Sequence, residues 1–174
     1  ARFSFDGAVR EVYNANLMEA QRHGHTVNLD LERSLPEIVA DRERIVQVMM
    51  NVVSNAIKYT PDGGTITLDL TQKKQDKNHI LLAFTATDTG YGMTPDFVQN
   101  IFKPFTRAED SITNKIQGTG LGMAITKSIV DLMSGTITLQ SEPGKGSCFS
   151  VTVLLEIAQT ALVHSSTEKN DSQT

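Results

Sequence analysis

Two asparagines one helical turn apart, Asn51 and Asn55, lie in a stretch whose apolar residues recur at helical spacing. Lys58 falls within the same narrow arc of that helix, and the apolar residues occupy the opposite side. An amide oxygen is a hard ligand that suits Mg²⁺, an ion that usually keeps several waters and bridges substrate phosphates. The lysine would add a positive charge for such phosphates. Taken alone, the stripe is also compatible with a solvated polar helix face.

A second cluster is the glycine-punctuated loop DTGYGM at residues 88–93, which directly follows a predicted strand. Alternate glycines, Gly90 and Gly92, let a backbone approach a flat ligand closely. The ionised carboxylate of Asp88 accepts hydrogen bonds, as an exocyclic amine would require. The loop is not an EF-hand, because the pattern D-x-[DN]-x-[DN]-G is absent. An ordinary strand-to-helix turn remains the alternative for this segment by itself.

The third cluster, GTGLG at residues 118–122, precedes a predicted helix. Glycine-rich loops at helix N-termini bind phosphates through backbone N–H groups and the positive end of the helix dipole. The segment lacks a Rossmann fingerprint, because Met123 stands where the third glycine would fall. It is not a Walker A loop either, since the only Gly-Lys pair, at 144–145, is followed by Gly146. A loop of flexible hinges is the alternative.

The composition predicts one ordinary domain without a nucleic-acid partner. The chain has 174 residues, of which 39% are hydrophobic, enough for a core of its own. The net charge of −4 argues against a basic face that reads nucleic acid or an anionic membrane. The single cysteine, Cys148, cannot form an internal disulfide. With no signal peptide and no apolar run near ~20 residues, we expect a cytoplasmic domain whose parent protein could be anchored in a membrane.

Periodicity and turn residues predict an α/β domain, a two-layer sandwich of a mixed β-sheet with about three helices on one face. Asp41 is the predicted N-cap of the central helix, and residues 158–174 are a predicted disordered linker after a domain at 1–157. The segment KKQDKN, residues 73–78, is predicted to be a hydrophilic hairpin loop. The predicted helices are 6–23, 41–59, 94–101 and 121–133, and the predicted strands are 26–31, 38–40, 65–71, 80–87, 136–140 and 147–155.

Together the clusters resemble the conserved boxes of sensor histidine kinases, in that family's order and roughly its spacing. Residues 51–60 resemble the N box, residues 88–93 the G1 box, IFKPF at 101–105 the F box, and GTGLGM at 118–123 the G2 box. The resemblance covers about residues 3–155, nearly the whole predicted domain. It implies the Bergerat ATP-binding fold, shared with DNA gyrase and MutL.

The resemblance also implies a role for each site residue. Asn55 would bind the Mg²⁺ that bridges the ATP phosphates, Lys58 would lie beside the phosphates, and Asp88 would accept a hydrogen bond from the adenine amino group. Residues 103–117 would form an ATP lid from which Arg107 reaches the γ-phosphate, with Phe102 and Phe105 anchoring it. The remaining implied nucleotide-binding residues are Tyr59, Gly90, Gly92, Met93, Phe105, Gly118, Thr119, Gly120, Leu121 and Gly122.

One position bears on the choice between phosphoryl transfer and hydrolysis. Hydrolytic members of the superfamily carry a glutamate one turn before the Mg²⁺ asparagine, and this chain has Asn51 there. A neutral amide cannot act as a general base. The resemblance therefore implies a protein-histidine kinase of two-component signalling, with ATP and Mg²⁺ as cofactors and Asn51, Asn55, Lys58 and Arg107 as catalytic residues. The alternatives are an ATP-hydrolysing member of the superfamily, a non-catalytic ATP-binding module and a pure interaction domain.

The phosphoacceptor is expected on another domain. None of the four histidines, His23, His25, His79 and His164, has the family's H-box context, and we predict that all four are surface residues. The acceptor is therefore expected on a helical dimerisation domain upstream of Ala1, and the other expected partner is a response regulator or receiver domain. The fragment itself is expected to be a monomer.

Overall fold

The computed structural model describes residues 1–104 and 122–159. Within these ranges no helix is long and apolar enough to cross a membrane. The elements in chain order are β1 (Arg2–Phe3), α1 (Phe5–Arg22), β2 (Thr26–Leu31), β3 (Ile38–Val39), α2 (Arg42–Lys58), β4 (Thr65–Gln75), β5 (His79–Asp88), α3 (Pro95–Asn100), α4 (Gly122–Leu132), β6 (Thr136–Glu142) and β7 (Gly146–Ile157).

The strands of the described residues form one mixed sheet in the order β1-β3-β7-β5-β4-β2, with β6 also paired to β7. Among the described strands only β2 and β4 run parallel, in a register that sets Thr26 opposite Thr65. The other described pairs are antiparallel, and the longest of them sets β5 against β7 from His79↔Glu156 to Asp88↔Ser147. This register brings the carboxyl end of β5 beside the start of β7, where the candidate site lies.

The core lies between the sheet and a layer of three helices, of which α2 is the middle one, packed against both α1 and α4. Strand β4 alternates buried and half-buried residues, as expected for a strand with one face on the core. Helix α2 contributes the apolar stripe that its periodicity predicts. Its buried residues are Ile45, Val48, Met49, Val52, Val53, Ala56 and Ile57. The two-layer α/β sandwich is confirmed.

Local capping explains where the helices begin. The Asp41 side chain accepts a hydrogen bond from the Arg44 backbone N–H at 3.3 Å, which confirms the predicted N-cap of α2. At the start of α3, the hydroxyl of Thr94 accepts from the Phe97 N–H, and Pro95 occupies the first turn. The N-cap at Asp41 therefore fixes the residue at which α2 begins, and the position of the polar stripe along the helix follows from that start.

The predicted hairpin loop KKQDKN is shorter in the structure than in the prediction. Strand β4 continues to Gln75 and β5 begins at His79, with a register irregularity between Gln72 and Lys74. The turn is closed by the Asp76 carboxylate, which accepts from the backbone N–H groups of Asn78 and His79, each at 2.8 Å. Since residues 71–75 at the end of β4 are exposed on both faces, the alternation that predicts strands is lost there.

Candidate functional site

The polar stripe of α2 faces α4 and is partly engaged by it. The Asn51 Nδ2 donates to the Thr126 hydroxyl at 3.0 Å, and the fully buried Thr126 donates in turn to the Gly122 carbonyl at 2.8 Å. Asn51 therefore ties α2 to the first turn of α4. No protein partner within the described residues bonds the side-chain amide of Asn55, which is half-buried. Lys58, one turn further on, is exposed.

The carboxylate of Asp88 ends β5 and is 3% exposed. Its Oδ1 accepts from the backbone N–H of Gly90 at 2.9 Å and of Ser147 at 3.2 Å. In the described part of the chain, no donor bonds the second oxygen, Oδ2. Burial raises the pKa of this carboxyl from 3.8 to about 6, and the two backbone hydrogen bonds offset only part of the rise. At neutral pH the group is an ionised, buried acceptor with one oxygen unengaged by these residues.

The glycines of the 88–93 loop are required by the protein's own backbone. A Cβ on Gly90 would lie 2.1 Å from the Tyr59 carbonyl oxygen, and one on Gly92 would lie 1.9 Å from the Glu142 carbonyl oxygen. Sequence reasoning attributed these glycines to close approach by a ligand, and it missed Gly146, whose Cβ would lie 2.0 Å from the Asp88 carbonyl oxygen. The loop is therefore held between the end of α2 and the β6–β7 turn.

The loop is also linked to α2 by a direct backbone hydrogen bond. The Tyr91 N–H donates to the Tyr59 carbonyl at 3.1 Å, and the Tyr59 N–H donates to the Asn55 carbonyl at 3.0 Å. Tyr59 is half-buried, and burial raises the pKa of its hydroxyl. Met93, another predicted nucleotide contact, is 4% exposed and packs in the core. The polar stripe of α2 and the Asp88 loop thus form one continuous unit.

Several predicted site residues lie outside the described residues. They are Phe105, Arg107, Gly118, Thr119, Gly120 and Leu121, together with most of the predicted lid. Gly122 is the first residue of α4, and a Cβ there would meet no described atom within 4 Å. The structure thus brings together Asn51, Asn55, Lys58, Tyr59, Asp88, Gly90 and Gly92, and the role of each remains a prediction.

The prediction that every histidine is a surface residue is wrong for His25, which is 7% exposed. Its Nε2 lies 2.9 Å from the Thr60 carbonyl oxygen and 3.1 Å from that of Pro61. The signal was present in the sequence, because the alternation of β2 extended back by one residue places His25 on the same face as Val27 and Leu29. His23 and His79 do reach the surface, and His164 lies outside the described residues.

The comparisons with known proteins show the family to which the chain belongs. Residues 40–157 match the family described as histidine kinase-, DNA gyrase B-, and HSP90-like ATPase. The chain belongs to this ATPase family. Within it, the chain is a catalytic ATP-binding domain of the sensor histidine kinase type, as the following relatives show.

Among curated relatives, the autoinducer 2 sensor kinase/phosphatase LuxQ of Vibrio vulnificus is 33% identical over 133 residues, which are 75% of this chain and 16% of LuxQ. The full-length structure of ShkA in complex with AMPPNP matches with a TM-score of 0.75 and 28% identity over 92% of this chain and 32% of that one. The nucleotide-free catalytic domain of the histidine kinase ThkA matches with a TM-score of 0.72 and 25% identity, covering 88% of this chain and 93% of that domain. The chain spans a quarter or less of the length of these curated relatives, from 8% of a hybrid signal transduction histidine kinase of Dictyostelium discoideum to 25% of a sensor-like histidine kinase of Rhizobium meliloti.

The close packing around Gly92 predicts a large loss of stability when this kinase domain carries Gly92→Ala. The position combines a φ of +70° with the 1.9 Å approach to the Glu142 carbonyl oxygen. Gly144→Ala is the matched control, because Gly144 has a φ of +78° and no neighbour within 4 Å. We expect Gly144→Ala to lower the free energy of unfolding by about 1–2 kcal/mol and Gly92→Ala by roughly 2 kcal/mol more. Urea unfolding measures both, and equal losses would contradict the packing argument.

The raised pKa of the buried Asp88 carboxyl predicts that the stability of the nucleotide-free domain depends on pH. Its folded-state pKa of about 6 exceeds the ordinary 3.8, so the folded protein holds the proton more tightly than the unfolded chain. The contribution of the protonated Asp88 carboxyl to the stability of the folded state is complete below about pH 3.8, and it is lost as the pH rises through about 6. As the pH rises from about 4 to about 7, the free energy of unfolding of Asp88→Asn should therefore increase by about 2–3 kcal/mol relative to that of wild type. Unfolding curves at each pH measure this, and a stability difference between Asp88→Asn and wild type that does not change with pH would contradict the prediction.

Proposed function

We propose that this domain transfers the γ-phosphoryl group of ATP, with Mg²⁺, to a histidine on a separate dimerisation domain. One observation carries the proposal most directly. The loop that carries the buried acceptor Asp88 is bonded to the end of α2: the Tyr91 N–H donates to the Tyr59 carbonyl, and the Tyr59 N–H donates to the backbone carbonyl of Asn55, whose side-chain amide no described residue bonds. An acceptor for adenine and a ligand for a phosphate-bound metal are thereby held at a fixed separation, as nucleotide recognition requires.

The residues present suit Mg²⁺ held jointly with the nucleotide. Among the described residues no group of three or more His, Cys, Asp or Glu side chains could hold a metal by itself. A single amide oxygen from Asn55 fits an ion that takes its other ligands from phosphates and water. Once bound, Mg²⁺ neutralises charge on the phosphates. Lys58 supplies a second positive charge on the same face of α2.

The similarity to ShkA supports the nucleotide, since that protein was solved in complex with AMPPNP. We assign the further contacts with the nucleotide to Phe105, Arg107 and residues 118–122, and the phosphate-facing lid to residues 103–117. In this proposal Gly90 and Gly92 line the adenine pocket only indirectly, because their packing against Tyr59 and Glu142 shapes the loop that carries Asp88.

Transfer is favoured over hydrolysis by the environment of Asn51. Its amide is neutral and its Nδ2 is committed to Thr126. Such a group cannot take a proton from water. The histidine of a partner helix is already a nucleophile at neutral pH. The domain then contributes positioning and charge neutralisation.

The rest of the proposal concerns the parent protein. We propose that residues 1–157 form the catalytic domain and 158–174 a linker, in a cytoplasmic part of a two-component kinase. Its partners are its own dimerisation domain and a response regulator or receiver domain. The name of LuxQ as a sensor kinase/phosphatase is consistent with such a pathway.

Calorimetric titration of the chain with Mg-ATP tests the nucleotide assignment. We expect ATP and ADP to bind, and Asp88→Asn to weaken both by about 1–3 kcal/mol, roughly 5- to 150-fold, because an amide donor would face the adenine amine. Asp69→Asn is the matched control, since Asp69 lies in the neighbouring strand β4, where it accepts from Thr85 at 3.3 Å. Absence of ATP binding by the wild-type chain would overturn the proposed function.

A further inference from the structure

The buried imidazole of His25 occupies the junction between β2 and the end of α2. Its Nε2 lies within hydrogen-bond distance of the carbonyl oxygens of Thr60 and Pro61, at 2.9 Å and 3.1 Å. Carbonyl oxygens only accept, so the proton of the neutral ring resides on Nε2. Nδ1 is buried and has no hydrogen-bond partner among the described residues. Burying a ring nitrogen without a hydrogen-bond partner costs free energy. Packing alone therefore does not account for a histidine at this core position.

The two carbonyls belong to the segment that joins both halves of the candidate site. Thr60 is 4% exposed, and its hydroxyl donates to the Ala56 carbonyl at 2.6 Å in the last turn of α2. The preceding carbonyl, of Tyr59, accepts from Tyr91 and lies where Gly90 tolerates no Cβ. A displacement of residues 59–61 would therefore move the Asp88 loop relative to Asn55.

The charged groups around His25 come from several elements. The ring of His23 at the end of α1 stacks on the ring of His25 with centroids 5.5 Å apart. His23 in turn pairs with Glu19 of α1 at 3.2 Å and with Asp62 of the following turn at 3.1 Å. The ring of His25 thus stacks on a histidine whose own partners include Asp62, the residue that directly follows the segment held by the Nε2–H contact.

We propose that His25 is a positioning residue for nucleotide recognition: its Nε2–H bonds to residues 60–61 hold the end of α2 in the register that sets Asp88 against Asn55. The inference rests on the proposed function, because it concerns the same site. His25 itself touches neither nucleotide nor metal, and it acts through the Tyr59 carbonyl and the loop that packs there.

Variants that differ only in the reach of a donor test the inference. A glutamine amide nitrogen extends about as far as Nε2, an asparagine amide is one methylene shorter, and leucine has no donor. We expect His25→Leu and His25→Asn to raise the Kd for Mg-ATP by roughly tenfold, equivalent to about 1.4 kcal/mol, and His25→Gln to stay within about threefold of wild type. His79→Gln, at an exposed histidine at the opposite end of β5 from Asp88, should bind as wild type.

Hydrogen exchange in the nucleotide-free protein supplies a readout that general destabilisation would not reproduce. We expect the Tyr91 amide, bonded to the Tyr59 carbonyl, to exchange at least about tenfold faster in His25→Asn while the Leu68 amide in β4 is unchanged. Glutamine should restore the protection at Tyr91.

The outcomes separate this inference from the proposed function. If wild type binds no nucleotide, both fail. If wild type binds and the leucine and asparagine variants bind within about twofold of it, only the role of His25 fails. Glutamine no better than asparagine would also overturn it. If neither asparagine nor leucine folds while glutamine does, the contact is a folding requirement and the positioning role is rejected.

Discussion

Mixed with ATP and a dimerisation-helix fragment that carries the acceptor histidine, the kinase domain is expected to label the fragment, and by itself to turn over almost no ATP. The expectation rests on Asn51, whose neutral amide is committed to Thr126 and cannot activate water. We expect transfer to the fragment to exceed hydrolysis at least about a hundredfold. Radiolabelled ATP with and without the fragment measures both rates in one experiment.

The control for this experiment is the same fragment with its acceptor histidine replaced by alanine, which should remain unlabelled. Brisk hydrolysis without acceptor would move the protein to the ATPase branch of its family. Label on the chain itself would show that one of its own histidines is an acceptor. Failure to label a folded, cognate fragment would favour a nucleotide-binding module without transfer activity.

Asn55→Ala is expected to lower Mg²⁺-dependent phosphoryl transfer at least about a hundredfold, because it removes the one amide proposed to hold the metal against the phosphates. Binding of nucleotide without Mg²⁺ should change by less than about threefold, since the contacts with adenine run through Asp88. Transfer assays and calorimetry with and without Mg²⁺ give the two numbers.

Gln47→Ala is the matched control for Asn55→Ala. Gln47 carries an exposed amide on α2, about two turns before Asn55, and its removal should leave transfer and binding unchanged. Equal losses of affinity with and without Mg²⁺ in Asn55→Ala would show that the asparagine shapes the pocket and does not bind the metal.

The sequence alone predicted those features that depend on neighbours a few residues away. The apolar stripe of α2 and its polar opposite face follow from the 3.6-residue period, and the N-cap at Asp41 follows from one side chain reaching the N–H three residues later. The boxes around Asn55 and Asp88 were recognisable because their residues lie within single short segments. The two-layer fold followed from the alternation of helices with strand pairs.

What remained hidden were contacts between residues distant in the chain, because no local period records them. Asn51 meets Thr126 across 75 positions, and the Asp88 carboxylate accepts from Ser147 across 59. Only the antiparallel register of β5 on β7 brings that second pair together and buries the carboxylate, which raises its pKa to about 6.

The same limit explains the glycines and His25. A glycine in a loop indicates conformational freedom or a close approach by another group. Whether a ligand or the protein's own backbone occupies the space that a Cβ would take depends on the folded chain. At Gly90 and Gly92 that space is occupied by backbone. From sequence alone, His25, which precedes β2, is interpreted as a surface residue. It is buried because β2 pairs with β4 and the residues that follow α2 contact its ring. Local periodicity therefore determined the elements and the chemistry they carry, and tertiary packing decided which of those groups are buried, which are joined, and which are left free to bind.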